Sequence, residues 1–215
     1  VEVKLASGTL WVHTGGVELD RSRPAVILVH AAGMDHTVWR YQSRALAGAG
    51  CTVAAVDLPA HGRSGGDPCK SIEEMAAVVA EMASGLELQP AVVGGHSLGA
   101  LVALQLAAAH PELVRSLVLL GASGEMRVHP DLLAAADADD HLAAELITAW
   151  SFPAMAVGGE PQPGSWEVGA TLRLLERSRP GVLAADLHAC HDFDGLAVAE
   201  RVRCPAKVVI GGQDR

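Results

Sequence analysis

The stretch "GGHSLGA" (residues 94–100), preceded by "AVV" (91–93), decides how this chain is read. Residues 91–96 form an apolar run of strand type, and Leu98 to His110 read as an apolar helix closed by Pro111. Gly95, Ser97 and Gly99 therefore sit in G-x-S-x-G spacing at a strand-to-helix junction. A turn that sharp needs glycine on both sides of the serine, because a Cβ there would collide with the neighbouring strand or helix. It also strains the serine backbone and lifts the hydroxyl above the sheet. The helix N-terminus beneath it offers free N–H groups and the positive end of a dipole, both suited to a developing oxyanion. Ser97 is the candidate nucleophile. His96 is its chain neighbour, and adjacent side chains diverge on leaving a sharp turn. It reads as a residue packed beside the elbow, not as the base.

The same pattern extends outward. "AVILVH" (25–30), "TVAAVD" (52–57), "SLVLLGA" (116–122) and "AKVVIGG" (206–212) are continuous apolar runs, as expected of strands buried on both faces. Helix-like segments run from Val38 to Ala49 and from Ile72 to Ser84. "VEVKL" and "TLWVHT" alternate around a Ser-Gly turn and predict an antiparallel hairpin at one sheet edge. Strands alternating with helices imply an α/β fold with a mostly parallel sheet. Residues 124–200 break that rhythm with three or four short helices and a Gly/Pro-rich stretch at 157–166. They read as a helical lid inserted between two strands, above the strand ends where open parallel sheets bind ligands, with ordinary packing helices on the sheet face as the alternative. The division expected is a core of residues 1–123 and 201–215 and a lid of residues 124–200.

Composition narrows the function. With 215 residues, half of them hydrophobic, the chain can bury one substantial core. Its net charge of -9, without any Lys/Arg run, argues against nucleic acid as a partner. No apolar stretch approaches the ~20 residues of a membrane span. The four cysteines (Cys51, Cys69, Cys190, Cys204) lack metal-ligand spacing and read as thiols of a reducing compartment. A cytoplasmic protein with no metal, no cofactor and no membrane or nucleic-acid partner is the expectation. Oligomeric state is left open.

Taken together, these motifs resemble the α/β-hydrolase fold family. "HAAG" (30–33) stands where that family carries His-Gly and its second oxyanion-hole donor, with Ala31 in place of the usual glycine. The resemblance implies that the backbone N–H groups of Ala32 and Leu98 form the oxyanion hole. "DLPAHGRS" (57–64) resembles the family's Asp-x-x-Gly-x-Gly-x-Ser turn, where Asp57 and His61 would tie the loop down. "VVIGGQDR" (208–215) resembles the segment that carries the triad acid, here Asp214, with Glu125 a weaker rival. "ACHDFDG" (189–195) resembles the end of the lid in bacterial members.

The triad order in this fold is serine, acid, histidine. The base is therefore expected beyond Arg215, in a further ~40–60 residues holding a helix, a strand and a final helix. His188 and His191, on a lid helix, are weak substitutes, and His36 is expected mainly at the surface. The function implied is a serine esterase acting on a small-molecule carboxylic ester through an acyl-enzyme at Ser97. Hydrolytic C–C bond cleavage and cofactorless haloperoxidase-like perhydrolysis share the constellation. A ligand-binding or receptor-like relative without turnover is the alternative of another class. Met34, Trp39, Trp150 and Trp166 are candidates both for pocket lining and for core.

Overall fold

The structure, a computed structural model, describes residues 1–6, 8–152 and 166–212. Seven strands, β1 (Glu2–Leu5), β2 (Gly8–His13), β3 (Ala25–Val29), β4 (Thr52–Asp57), β5 (Ala91–His96), β6 (Val114–Leu120) and β7 (Ala206–Val209), form one sheet. Their spatial order is β1-β2-β4-β3-β5-β6-β7. The hairpin β1–β2 and the pair β2–β4 are antiparallel, as the alternating N-terminal pattern predicts. All other pairs are parallel.

The order reverses at β3. From β3 the chain crosses to β4 on one side, then returns to β5 on the other. The loops after β3 and β5 therefore part at the carboxyl ends of adjacent strands, which opens a crevice there. "HAAG" leaves from one of these strands and "GHSLG" from the other.

Burial follows strand position. β4 is buried at all six positions, as its continuous apolar run requires. β7 differs from expectation: all four of its residues are exposed, and Val208 and Ile210 keep 55% and 60% of their surface. Among the described residues it pairs with β6.

Helix α1 (Arg40–Gly48) is preceded by a 3-10 turn (His36–Trp39) instead of starting at Val38. The cause is Asp35, whose side chain accepts the Thr37 N–H and fixes the tighter turn. Helix α2 (Ile72–Gly85) starts at a Ser71 cap that accepts the Glu74 N–H, with Glu73 and Glu74 in the first turn. Helix α3 (Leu98–Ala109) is buried at every position from Leu98 to Ala107. It is apolar all round because it lies between the sheet and other helices.

After β6 come five described helices, more than the sequence suggested: α4 (Pro130–Asp137), α5 (Leu142–Ser151), α6 (Glu167–Leu175), α7 (Val182–Asp192) and α8 (Gly195–Ala199). Gly181, at φ +76, separates α6 from α7, and Asp194 caps the short α8, which the sequence reading had not separated from the preceding helix. An antiparallel bridge between Glu125 and Asp194 closes this excursion where it leaves and rejoins the sheet.

Candidate active site

Ser97 leaves β5 with φ 53° and ψ −118°, outside the regions open to most L-residues. Strain of this kind costs about 1–3 kcal/mol and persists only where the surroundings enforce it. Here they do. The Ser97 N–H donates to Leu120 O at 2.9 Å, and Ser97 O accepts from Ala100 N at 2.9 Å. A Cβ on Gly95 would lie 2.0 Å from Gly99 O, and one on Gly99 would lie 2.2 Å from Val29 O. Both glycines are thus required by backbone contact, as the G-x-S-x-G reading supposed. Ser97 is half-buried at the lip of the crevice.

Leu98 is the first residue of α3, so its N–H has no partner inside the helix. The Ala31–Ala32 peptide is held from its carbonyl side: Ala31 O accepts His30 Nδ1–H at 2.9 Å and the Met34 N–H at 3.2 Å. A trans peptide points its N–H opposite its C=O, so the Ala32 N–H faces away from those donors. The glycine that this loop needs is Gly33, at φ +66. A Cβ there would lie 2.9 Å from Leu183 on α7.

His30 is fully buried, donates through Nδ1 and accepts the Leu58 N–H on Nε2 at 3.1 Å. One donor and one acceptor define the neutral imidazole. Burial, reinforced by the nearby His61, pushes its pKa down to about 4. His61 is the opposite case. Its Nδ1 faces Pro59 O and its Nε2 faces Asp186 Oδ2, at 2.9 and 2.8 Å. Both partners only accept, so the ring carries two protons and a charge. Burial opposes that charge, but Asp186 outweighs it and the His61 pKa is raised.

Asp57 ties the neighbouring loop down. Its Oδ1 accepts the backbone N–H of His36 and His36 Nδ1, and its Oδ2 accepts the Arg63 N–H. Burial would raise its pKa, yet the bonds from His36 and Arg63 hold the carboxyl below the usual range. His36 therefore differs from expectation. It is half-buried against Asp57 and stacked on His13, because a buried carboxylate draws in its nearest donor. Asp35, His36 and Asp57 bring ligand atoms within 4.8 Å of one another, a set that could hold a metal. The Asp57 oxygens already accept three N–H groups, so the arrangement works as a loop clamp.

Several other expectations resolve differently. His96 is exposed instead of packed beside the elbow, since as the last residue of β5 it points out at the sheet lip. His188 bonds Asp137, and His191 accepts the Val128 N–H, so both tie α7 to other parts of the excursion. Glu125 is exposed. Met34 and Trp39 are buried, while Trp150 and Trp166 are exposed. Asp214 lies outside the described residues. Burial pushes the Cys190 thiol up and Cys69 to about 11, so neither is a rival nucleophile.

Two cavities are described, and Ser97 lines neither. One of about 50 Å³ lies beside the loop after β3, among Gly33, Met34, His61, Leu174 and Arg177. The other, about 290 Å³, lies at the opposite ends of the strands, beside Arg21, Pro24, Gln89 and Arg115. Strand-end chemistry is the better guide to the site, because reactive groups converge on the first end only.

Comparison with known proteins agrees with this geometry. Residues 24–157 match the profile of the alpha/beta hydrolase fold. The chain belongs to the alpha/beta hydrolase fold family. A pimeloyl-acyl-carrier-protein methyl ester esterase of Aromatoleum aromaticum is 33% identical over 211 residues, covering 90% of this chain and 80% of that protein. A thermophilic esterase of known structure is 29% identical with a TM-score of 0.81, covering 100% of this chain and 78% of that one. An enol-lactonase from Burkholderia xenovorans, 20% identical with a TM-score of 0.86 over 99% of this chain and 81% of that one, shares the fold. The α/β-hydrolase core and the ester-hydrolase class expected from the motifs both agree with these relatives. Among the described residues no helix is long and apolar enough to cross a membrane.

Among the described residues, Asp186 is a buried polar member of this site that the motifs missed. Its signal was faint: a lone carboxylate in the apolar run "VLAADLHAC" (182–190), which burial would tolerate only with a partner.

Proposed function

We propose that this chain hydrolyses a small-molecule carboxylic ester through an acyl-enzyme on Ser97. The observation that carries the reading is the strained Ser97 backbone, held between β5 and α3 by two glycines that admit no Cβ. Ser97 Oγ attacks the ester carbonyl as its proton passes to a base. The tetrahedral oxyanion is received by the Leu98 and Ala32 N–H groups. Its collapse expels the alcohol, which takes the proton back, and water then releases the acid by the same steps. Asp214 orients the base, a histidine that the order serine, acid, histidine puts after it in the chain. Residues 124–200 serve as the lid that shapes the acyl site. The relative's name makes a methyl ester of a linear acyl chain the first substrate to try. A cytoplasmic location fits four cysteines that are all free.

The test is a fluorophosphonate probe with a chain-length series of p-nitrophenyl esters on the intact protein. Ser97→Ala is expected to abolish labelling and lower kcat by about 10⁴-fold or more. Turnover that survives the substitution would refute the assignment. A folded wild-type protein that neither labels nor turns over would favour a ligand-binding role.

A further inference from the structure

Asp186 belongs to α7, in the excursion after β6, yet its side chain is fully buried against the core. Its Oδ2 accepts two donors at 2.8 Å, the Gly33 N–H of the oxyanion loop and Nε2 of His61. Its Oδ1 is buried with no partner among the described residues. The carboxylate is thus spent on one oxygen that joins three segments: α7, the loop after β3 and the loop after β4.

We propose that Asp186 is a positioning residue that sets the oxyanion loop through Gly33 and His61, so that seating of α7 on the core and the geometry of the Ala32 N–H are one event. The proposal rests on the ester-hydrolase reading for its kinetic consequence, though not for its structural one. Two adjacent peptides carry the argument. The Ala31–Ala32 peptide is fixed by His30, and the Ala32–Gly33 peptide is fixed by Asp186. With both held, the Ala32 N–H has one direction. The Leu183 and Leu175 side chains pack over Gly33, 2.9 and 3.3 Å from where a Cβ would lie, so α6 and α7 bear directly on this turn.

His61 makes the device sensitive to pH. The titratable and charged groups around it are His30 from the end of β3, Asp57 from the end of β4 and Asp186 from α7, with Asp35 from the loop after β3 and Arg177 and Arg179 from the segment after α6 lining the same cavity; Cys69 and Cys190 face Asp186. When His61 loses its charge, the ring keeps one N–H for two acceptors, Pro59 O and Asp186 Oδ2, and the charge-assisted bond that bridges the two loops weakens.

Asp186→Asn separates charge from shape. The amide oxygen can take the shared position and its NH2 the unpartnered one, which preserves both contacts while His61 is charged. Once His61 is neutral the amide gains by turning its NH2 toward Nε2, and Gly33 loses its acceptor. The expected result on p-nitrophenyl ester hydrolysis is an alkaline limb of kcat moved to lower pH. On that limb kcat is lower by about tenfold or more, with KM within about twofold, as misplacement of a donor requires. Amide hydrogen exchange over residues 30–36 should quicken over the same pH range. His61→Gln keeps a donor toward Asp186 and removes the titration, so the alkaline limb should vanish. A kcat–pH profile and loop protection unchanged from wild type in a folded Asp186→Asn protein would overturn the proposal. If that variant does not fold, an alkaline limb unmoved in His61→Gln would do so. If the wild type neither labels nor turns over, the ester reading fails separately. Exchange at residues 30–36 then decides alone: faster exchange in Asp186→Asn sustains the coupling, and unchanged exchange refutes it.

Discussion

Gly99→Ala tests the elbow without touching a reacting group. The added Cβ would meet Val29 O at 2.2 Å, His30 O at 2.5 Å and Val29 C at 2.7 Å, all backbone atoms of β3 and the residue after it. No rotamer change relieves a clash with backbone. Either α3 retreats from β3 by about 1 Å or β3 bends, and overpacking of this kind costs about 1–3 kcal/mol. For a chain of this size that is roughly 3–10 °C in Tm. The kinetic effect should be larger in proportion. Ser97 and Leu98 begin the helix that must move, and Val29 and His30 lead into the Ala32 loop, so the clash separates the proposed nucleophile and both proposed N–H donors at once. A displacement near 1 Å at a reacting centre costs about 10²-fold in rate. Stopped-flow or steady-state hydrolysis of p-nitrophenyl acetate, with thermal unfolding on the same preparation, reads both quantities. A folded Gly99→Ala protein with kcat within threefold of wild type would show that the close approach of α3 to β3 does not set the site.

Gly48→Ala is the matched control: a Cβ at the end of α1 meets nothing within 4 Å, so the variant should gain about 0.5–1 kcal/mol in urea unfolding with unchanged kcat. Leu106, fully buried in α3, should cost about 2–5 kcal/mol on Leu106→Ala, measured in the same way. His30 predicts the pH dependence of stability. Its folded pKa of about 4 lies below the unfolded value of 6.5, so as pH falls through that window the unfolded chain takes up a proton the folded one refuses. Stability should fall by about 3 kcal/mol from pH 6.5 to 4, and His30→Gln, which keeps a donor and an acceptor, should flatten that slope in urea midpoints.

Local features were legible in the sequence. The elbow announces itself within seven residues because each glycine answers a contact with its immediate surroundings. β4 and β5 could be placed because a strand buried on both faces leaves a continuous apolar run. What lies beside a strand, as for β7 next to β6, is not recorded in its own residues. The ties around the oxyanion loop were hidden for a related reason. His61 and Asp186 are 125 residues apart, and Gly33 and Asp186 are 153 apart. Their match exists only after α7 has docked. His36 misled because a histidine just outside a strand end is ordinarily at the surface, and its buried partner Asp57 lies 21 residues on.

His30 and His61 show how far identity of residue type falls short of function. Their rings lie 4.7 Å apart, and one is neutral while the other is charged. Both rings are buried, and they differ in what the second nitrogen meets: a backbone N–H for His30, a carboxylate for His61. The two states depend on each other, because a cation at His61 is one of the causes that keep His30 unprotonated. Protonating His30 would break its bond from Leu58 and place two cations side by side. Deprotonating His61 would leave one ring N–H for two acceptors and weaken its tie to Asp186. On the proposal that Asp186 positions the loop after β3, that loop is best ordered between these two titrations, with the lower side set by His30 and the upper by His61. An enzyme built this way confines its working pH by the scaffold of the site as well as by its catalytic base.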